Sequence, residues 1–112
     1  ALYLEDAREA FGQKYGLDYM NYFNHDCYAP IVEETIHYHK PLRYGVPARI
    51  DITYRPTESA KVIFDYEIHE TDSGELIATG HSVQAFIDTS YKLILFSPDF
   101  YKDWQKKWEV LG

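Results

Sequence analysis

The sequence predicts an α+β fold, with an antiparallel sheet carrying helices on one face. Three observations lead there. The chain opens on a helical period, its middle alternates apolar and polar residues over long stretches, and it closes on a second helical stripe.

In residues 1–15, Leu4, Ala7 and Phe11 sit at i, i+3 and i+7 with Ala10 beside them, while Glu5, Asp6, Glu9 and Gln13 lie opposite. Ala7, Ala10 and Gly12 are small, so close approach of the sheet to this helix is expected. Gly16 is the expected C-cap. No capping residue stands ahead of residue 1, so either the domain begins abruptly or the capping residues lie upstream. Residues 17–28 show no clear period and read as a loop with one turn of helix.

Strands follow. Ile31 to Lys40 is extended and ends at Pro41. Ala48 to Arg55 alternates, with Ile50, Ile52 and Tyr54 on one side and Asp51, Thr53 and Arg55 on the other. Lys61 to Glu70 does the same, turning Val62, Phe64, Tyr66 and Ile68 to the core. Thr71-Asp72-Ser73-Gly74 is a hairpin turn in which Gly74 supplies positive φ. Glu75 to Asp88 is a long strand whose Gly80 predicts a bulge or bend. Thr89-Ser90 turns the chain into a short apolar strand, Tyr91 to Phe96. Ser97-Pro98-Asp99 starts the closing helix, with Ser as N-cap, and Phe100, Trp104 and Trp108 form its apolar stripe.

With 112 residues the chain suits one domain with one core. Aromatic residues make up 17%, and 11 of them are Tyr, a residue suited to half-buried strand positions and to clefts where the hydroxyl stays wet. A net charge of −7 with no basic stretch argues against nucleic-acid and anionic-membrane partners. It leaves room for a small anionic ligand met by a few local cations. A single cysteine, Cys27, rules out an internal disulfide and fits a reducing compartment, so a cytoplasmic location is expected. No apolar run approaches the roughly 20 residues that span a bilayer, so no membrane insertion is expected.

Three stretches carry a family resemblance. They are Leu4-Glu5-Asp6-Ala7-Arg8 followed by Gly16-Leu17, then His39-Lys40-Pro41-Leu42-Arg43-Tyr44-Gly45, then Ala78 to Asp88 with its closing Phe86-Ile87-Asp88. In this order and spacing the chain resembles the hotdog-fold acyl-CoA thioesterases of the 4-hydroxybenzoyl-CoA thioesterase type. The resemblance implies a hotdog fold, an antiparallel sheet wrapped around a central helix, with residues 1–112 forming one such domain. It implies hydrolysis of an acyl-CoA or acyl carrier protein thioester to a free acid and a thiol, without cofactor or metal, in a homodimer or homotetramer. The family places its first strand and a loop bearing the catalytic Asp just before the central helix, and nothing in this sequence matches them. That strand, loop and Asp are therefore expected upstream of Ala1. Val46-Pro47 also stands where the family has an acid after Tyr-Gly.

Thioester hydrolysis requires a carboxylate to activate water or attack the carbonyl, and hydrogen-bond donors for the oxyanion. The resemblance implies that the carbonyl faces the N-terminus of the central helix. Glu5 is the candidate carboxylate on that helix, and Arg8, three residues on, is expected to orient it, meet the substrate or form an i, i+3 ion pair with it. Arg55 and Lys61 flank a turn between strands and are the candidate contacts for CoA phosphates. His37 and His39 share a strand face with Glu33 and Thr35, without the second ligand cluster a metal would need. His25-Asp26-Cys27 reads as a loop with a semi-buried thiol, since adjacent residues rarely supply nucleophile–base geometry. The alternative to an enzyme is a non-catalytic hotdog module that binds acyl thioesters or serves in assembly; a hotdog dehydratase would need an acid and a His on a loop that the sequence does not contain.

Overall fold

The computed structural model describes residues 2–41 and 43–108, except for the side chains of Leu2 and Tyr3. Ala1, the Leu42 of the His39–Gly45 stretch and residues 109–112 lie outside the described residues. The element order is α1 (Leu2–Tyr15), α2 (Tyr19–Asn24), β1 (Cys27–Tyr28), β2 (Ile31–Tyr38), β3 (Ala48–Arg55), β4 (Lys61–Glu70), β5 (Leu76–Ala85), β6 (Ile87–Asp88) and α3 (Asp99–Lys107). Strands β2 to β5 form one antiparallel sheet in the order β2-β5-β4-β3, and β1 pairs with β6 in a small second sheet.

The register sorts every side chain to a face, because directly opposed residues point the same way. One row reads Glu34, Ser82, Phe64, Tyr54; the next Ile36, Gly80, Tyr66, Ile52; the third Tyr38, Ala78, Ile68, Ile50. This is the face covered by α1. Leu4 of α1 is fully buried among the core residues, and Phe11 meets Phe64 edge-on at 5.0 Å between ring centroids. The opposite face carries Thr35, His81, Asp65 and Thr53 in one row and His37, Thr79, Glu67 and Asp51 in the next. The alternation read in β3 and β4 is thus the division between core and solvent.

Gly16 ends α1 at φ +86, where its N–H and that of Leu17 both return to the Gly12 carbonyl at 2.7 and 2.8 Å. Gly12 serves this same turn. A Cβ on it would lie 2.5 Å from the Leu17 carbonyl oxygen, so its small size admits the returning chain and not the sheet. The helix turn read in residues 17–28 is α2, capped by the Asp18 carboxylate accepting from the Asn21 N–H at 3.0 Å. Gly80 makes no bulge. A Cβ there would meet Tyr66 Cδ1 at 3.2 Å and Leu4 Cδ1 at 3.4 Å, so the residue is small where helix and sheet come together. The long strand instead breaks at Phe86, between β5 and β6.

Two further expectations are corrected. Residues 91–96 are not a strand: Leu93 makes a single bridge to Ile87, and the Ile94 N–H reaches the Phe86 carbonyl at 2.8 Å. Tyr91 adopts φ +63, which breaks the extended run at its start, and Leu95 and Phe96 lie exposed. The N-cap of α3 is Pro98, not Ser97, whose hydroxyl donates to the Ser59 carbonyl at 3.1 Å and so ties this corner to the β3–β4 loop. Of the expected stripe Trp104 is buried and Phe100 half-buried, whereas Trp108 caps the helix and is exposed; α3 buries Tyr101 and Gln105 in addition. Tyr101 donates to the Lys61 carbonyl at 2.8 Å, and Tyr54 therefore donates to Tyr101 at 2.5 Å while accepting from Gln105 at 3.0 Å. Trp104 donates its indole N–H to the Tyr15 carbonyl at 2.6 Å, locking α3 to the end of α1.

Candidate active site

The first turns of α1 separate two cavities. Leu4 lines an apolar one of about 620 Å³, walled by Ile36, Tyr38, Ile50, Ile68 and Ile77 and roofed by the turn Tyr44 to Pro47. Glu5 and Arg8 line a cleft of about 380 Å³ on the other side, with Tyr19, Tyr22, Tyr28 and Gln84 among its walls. Neighbouring residues of one helical turn thus face an apolar chamber and a charged cleft.

Arg8 is committed to the sheet. Its guanidinium donates to Glu34 at 2.9 Å and to the Tyr66 hydroxyl at 3.2 Å, and Tyr66 shares a 2.5 Å hydrogen bond with the fully buried Ser82 hydroxyl. Four elements, α1, β2, β4 and β5, meet in this polar seam inside an otherwise apolar layer. Burial works to lower the Arg8 pKa, but the bonds to Tyr66 and Glu34 outweigh it and leave it raised, so the side chain is a permanent cation. Burial pushes the Tyr66 hydroxyl up, against the pull of Ser82 and Arg8, which holds it as a neutral phenol at ordinary pH.

The structure brings Glu5 and Arg8 to the same cleft, but Arg8 pairs with Glu34 across the helix–sheet interface, not with Glu5 along the helix. The i, i+3 ion pair loses because Arg8 points inward to a strand carboxylate and gains a second acceptor there. Arg55 projects from the solvent face of the sheet, away from α1, and donates to Asp65 at 2.5 Å. Lys61 is exposed at the start of β4 and makes no ion pair among the described residues. His37 and His81 stand on the solvent face, where His81 bridges Asp65 at 2.7 Å and Glu33 at 3.4 Å. Among the described residues, no group of three or more His, Cys, Asp or Glu is arranged to hold a metal ion. Cys27 is buried in β1, where burial and then the neighbouring Asp26 charge push its thiol pKa up.

Sequence reasoning missed Glu34, Tyr66 and Ser82 as a unit. The signal was partial. Tyr66 and Glu34 lie on the core faces of their strands, but only the β2–β5 and β4–β5 registers show that one arginine reaches both.

Comparison with known proteins fits this architecture. Among curated proteins the chain has no match. Solved structures do match in fold. A DHNA-CoA thioesterase from Staphylococcus aureus superposes with TM-score 0.80 at 21% identity, covering 97% of this chain and 75% of that one. A 1,4-dihydroxy-2-naphthoyl-CoA thioesterase from Synechocystis gives TM-score 0.78 at 19% identity over 96% and 80% of the two chains. A hypothetical protein from Thermus thermophilus gives 0.77 at 23% identity over 94% and 79%. The fold is therefore the hotdog fold. A family model described as "Thioesterase-like superfamily" matches residues 1–105, and the chain belongs to that superfamily.

Proposed function

We propose that this protein is a thioester hydrolase that cleaves an acyl-CoA or acyl carrier protein thioester with water, yielding a free acid and a thiol. The observation that carries the reading is the pair Leu4 and Glu5, adjacent on α1, one lining an apolar chamber and the other a charged cleft. In this reading the acyl group occupies the chamber and the thioester lies over the first turn of α1, with the carrier arm leaving through the cleft. Glu5 is the carboxylate on the helix, and Arg8 is a fixed cation beside it that its bonds to Glu34 and Tyr66 hold in place. The main catalytic Asp is proposed upstream of Ala1, as the family resemblance implies.

Phosphates of a CoA carrier are assigned to Lys61 in the first instance. Arg55 is the second candidate, and its charge is already shared with Asp65. A homodimer or homotetramer is proposed, since the outer edge of β2 has no strand partner among the described residues and its side chains are largely exposed. Among the described residues no helix is long and apolar enough to cross a membrane. A cytoplasmic location is proposed on the single free thiol.

The test is thiol release from a panel of short, long and aromatic acyl-CoA substrates by the full-length protein, read with a thiol reagent. Release from at least one class, above the no-enzyme rate, is expected. A flat trace over the whole panel refutes hydrolysis and favours a non-catalytic module that binds thioesters.

A further inference from the structure

We propose that the exposed ring of Tyr91 is a stacking platform for the nucleobase of a phosphate-bearing carrier, which makes coenzyme A the carrier in the thioesterase reading on which this inference rests. Tyr91 sits at φ +63, and a bulky side chain in the left-handed region is costly unless its surroundings enforce it. Asp88 enforces it. Its carbonyl accepts the Tyr91 N–H at 2.9 Å, and its carboxylate accepts the Ser90 N–H at 2.8 Å and the Lys92 N–H at 3.0 Å. The turn is built around a residue whose side chain gains almost no burial, for Tyr91 is 77% exposed. The turn, closed also by the Asp88 N–H on the Lys92 carbonyl at 2.8 Å, holds a flat ring in water.

That ring is in line with the cleft. Tyr91 lies nearly parallel to Tyr28, with an interplanar angle of 12° and centroids 6.1 Å apart. Tyr28 stands 6.4 Å from Tyr19, and both line the cleft that holds Glu5 and Arg8. A run of aromatic rings therefore leads from the charged cleft to the platform. Lys92 follows the platform directly and makes no ion pair among the described residues, supplying a local cation on a chain of net charge −7. One exposed ring has the width of a base, and every base has a π-face to lay on it.

The probe is adenosine 3′-phosphate 5′-diphosphate, titrated into the full-length protein by calorimetry. The wild type is expected to bind it. Tyr91→Asn, which tolerates the left-handed backbone but has no ring, should weaken binding by about fivefold to tenfold, the low end for a single exposed stack. Tyr91→Trp should restore it. With a hydrolysable substrate, Tyr91→Asn should raise KM for acyl-CoA while leaving kcat, and KM for the matching acyl-pantetheine, unchanged. The inference is overturned if the wild type does not bind the nucleotide, if Tyr91→Asn binds it equally well, or if KM rises equally for both substrates. A changed sedimentation coefficient in Tyr91→Asn also overturns it, because the ring would then cover a second copy of the chain. Nucleotide binding that depends on Tyr91 in a protein that hydrolyses no thioester would sink the thioesterase reading, and with it a carrier for cleavage, and leave only the nucleotide platform standing.

Discussion

Gly80 is where the sheet and α1 come together, and alanine at that position tests the packing that sets the first turn of the helix. The added Cβ lies 3.2 Å from Tyr66 Cδ1 and 3.4 Å from Leu4 Cδ1, so a neighbour must yield by a few tenths of an ångström. Tyr66 is poorly placed to yield, since its hydroxyl is held at 2.5 Å by Ser82 and at 3.2 Å by Arg8. Leu4 is fully buried beneath the helix. Overpacking costs about 1–3 kcal/mol, and a single methyl belongs at the low end or the middle of that range. Loss of glycine's freedom in the unfolded chain returns about 0.4–1 kcal/mol. The net destabilisation is about 1 kcal/mol, or a fall in Tm of roughly 3–5 °C for a chain of this size. Leu4→Ala alone should cost about 2–5 kcal/mol, but it empties the space the new Cβ enters. In that background Gly80→Ala keeps the entropic gain, loses the clash, and becomes neutral or stabilising. Urea unfolding of the four proteins should give a coupling energy of about 1–2 kcal/mol. An equal penalty in both backgrounds would refute the contact as the reason for glycine.

Four further outcomes are expected. Tyr66→Phe leaves the Ser82 hydroxyl buried without its partner and should cost about 1–3 kcal/mol in denaturant unfolding, much of it recovered when Ser82→Ala is added. Glu5→Gln should lower kcat for thioester hydrolysis less than replacement of a catalytic Asp upstream of Ala1 does; the reverse order would move the main catalytic role to Glu5. The Glu67 carboxylate and then the Gly74 carbonyl hold the His69 pKa above 6.5, so NMR titration should give a midpoint above 6.5 that falls back in Glu67→Gln. Because the folded-state value is raised, this pair's contribution is complete below about pH 6.5 and fades as pH rises through the folded midpoint. Cys27 should react with a thiol reagent only on unfolding, which keeps the background of the hydrolysis assay low; fast labelling of the folded protein would contradict its burial.

The strands were legible wherever one face met the core and the other met water. β3 and β4 follow their alternation residue by residue, and Thr71–Gly74 turns as read, with Gly74 at φ +72. The failures share a cause, since each depends on what a residue touches across the chain. Gly12 and Gly80 are both small, but one admits the Leu17 carbonyl and the other a leucine and a tyrosine ring. Tyr91 to Phe96 has the composition of a strand, but its first residue is turned into the left-handed region by Asp88. At the site, the family motif drew attention to Glu5 and Arg8. The partners of Arg8 were hidden because Glu34 is one of two adjacent glutamates in β2, and only the register shows which of them faces inward.

The two faces of the sheet also decide which charges are available to a substrate. On the solvent face the polar groups satisfy one another: Arg55 with Asp65, Asp65 with His81, His81 with Glu33, and Arg49 with Asp51. Hydrogen bonding to His81 first, then to Arg55, holds the Asp65 carboxyl below its ordinary range, so Asp65 stays ionised through neutral pH and its contribution is lost only as pH falls through that lowered value. An anionic ligand there would have to displace a carboxylate from each cation it met. On the helix side Arg8 is likewise engaged, yet it lines the cleft and presents fixed charge to it without needing to move. Lys61 and Lys92 stand outside both networks and make no ion pair among the described residues, so an incoming phosphate can recruit either without breaking one. They flank residues 85–88 at opposite ends, Lys61 opposite Ala85 and Lys92 bonded through its carbonyl to the Asp88 N–H, next to the Tyr91 ring. Substituting each by alanine therefore asks at which end the phosphates of the proposed carrier rest. A loss of nucleotide affinity confined to Lys92→Ala would place them beside the aromatic platform, and a loss confined to Lys61→Ala would draw the carrier across the β3–β4 turn instead.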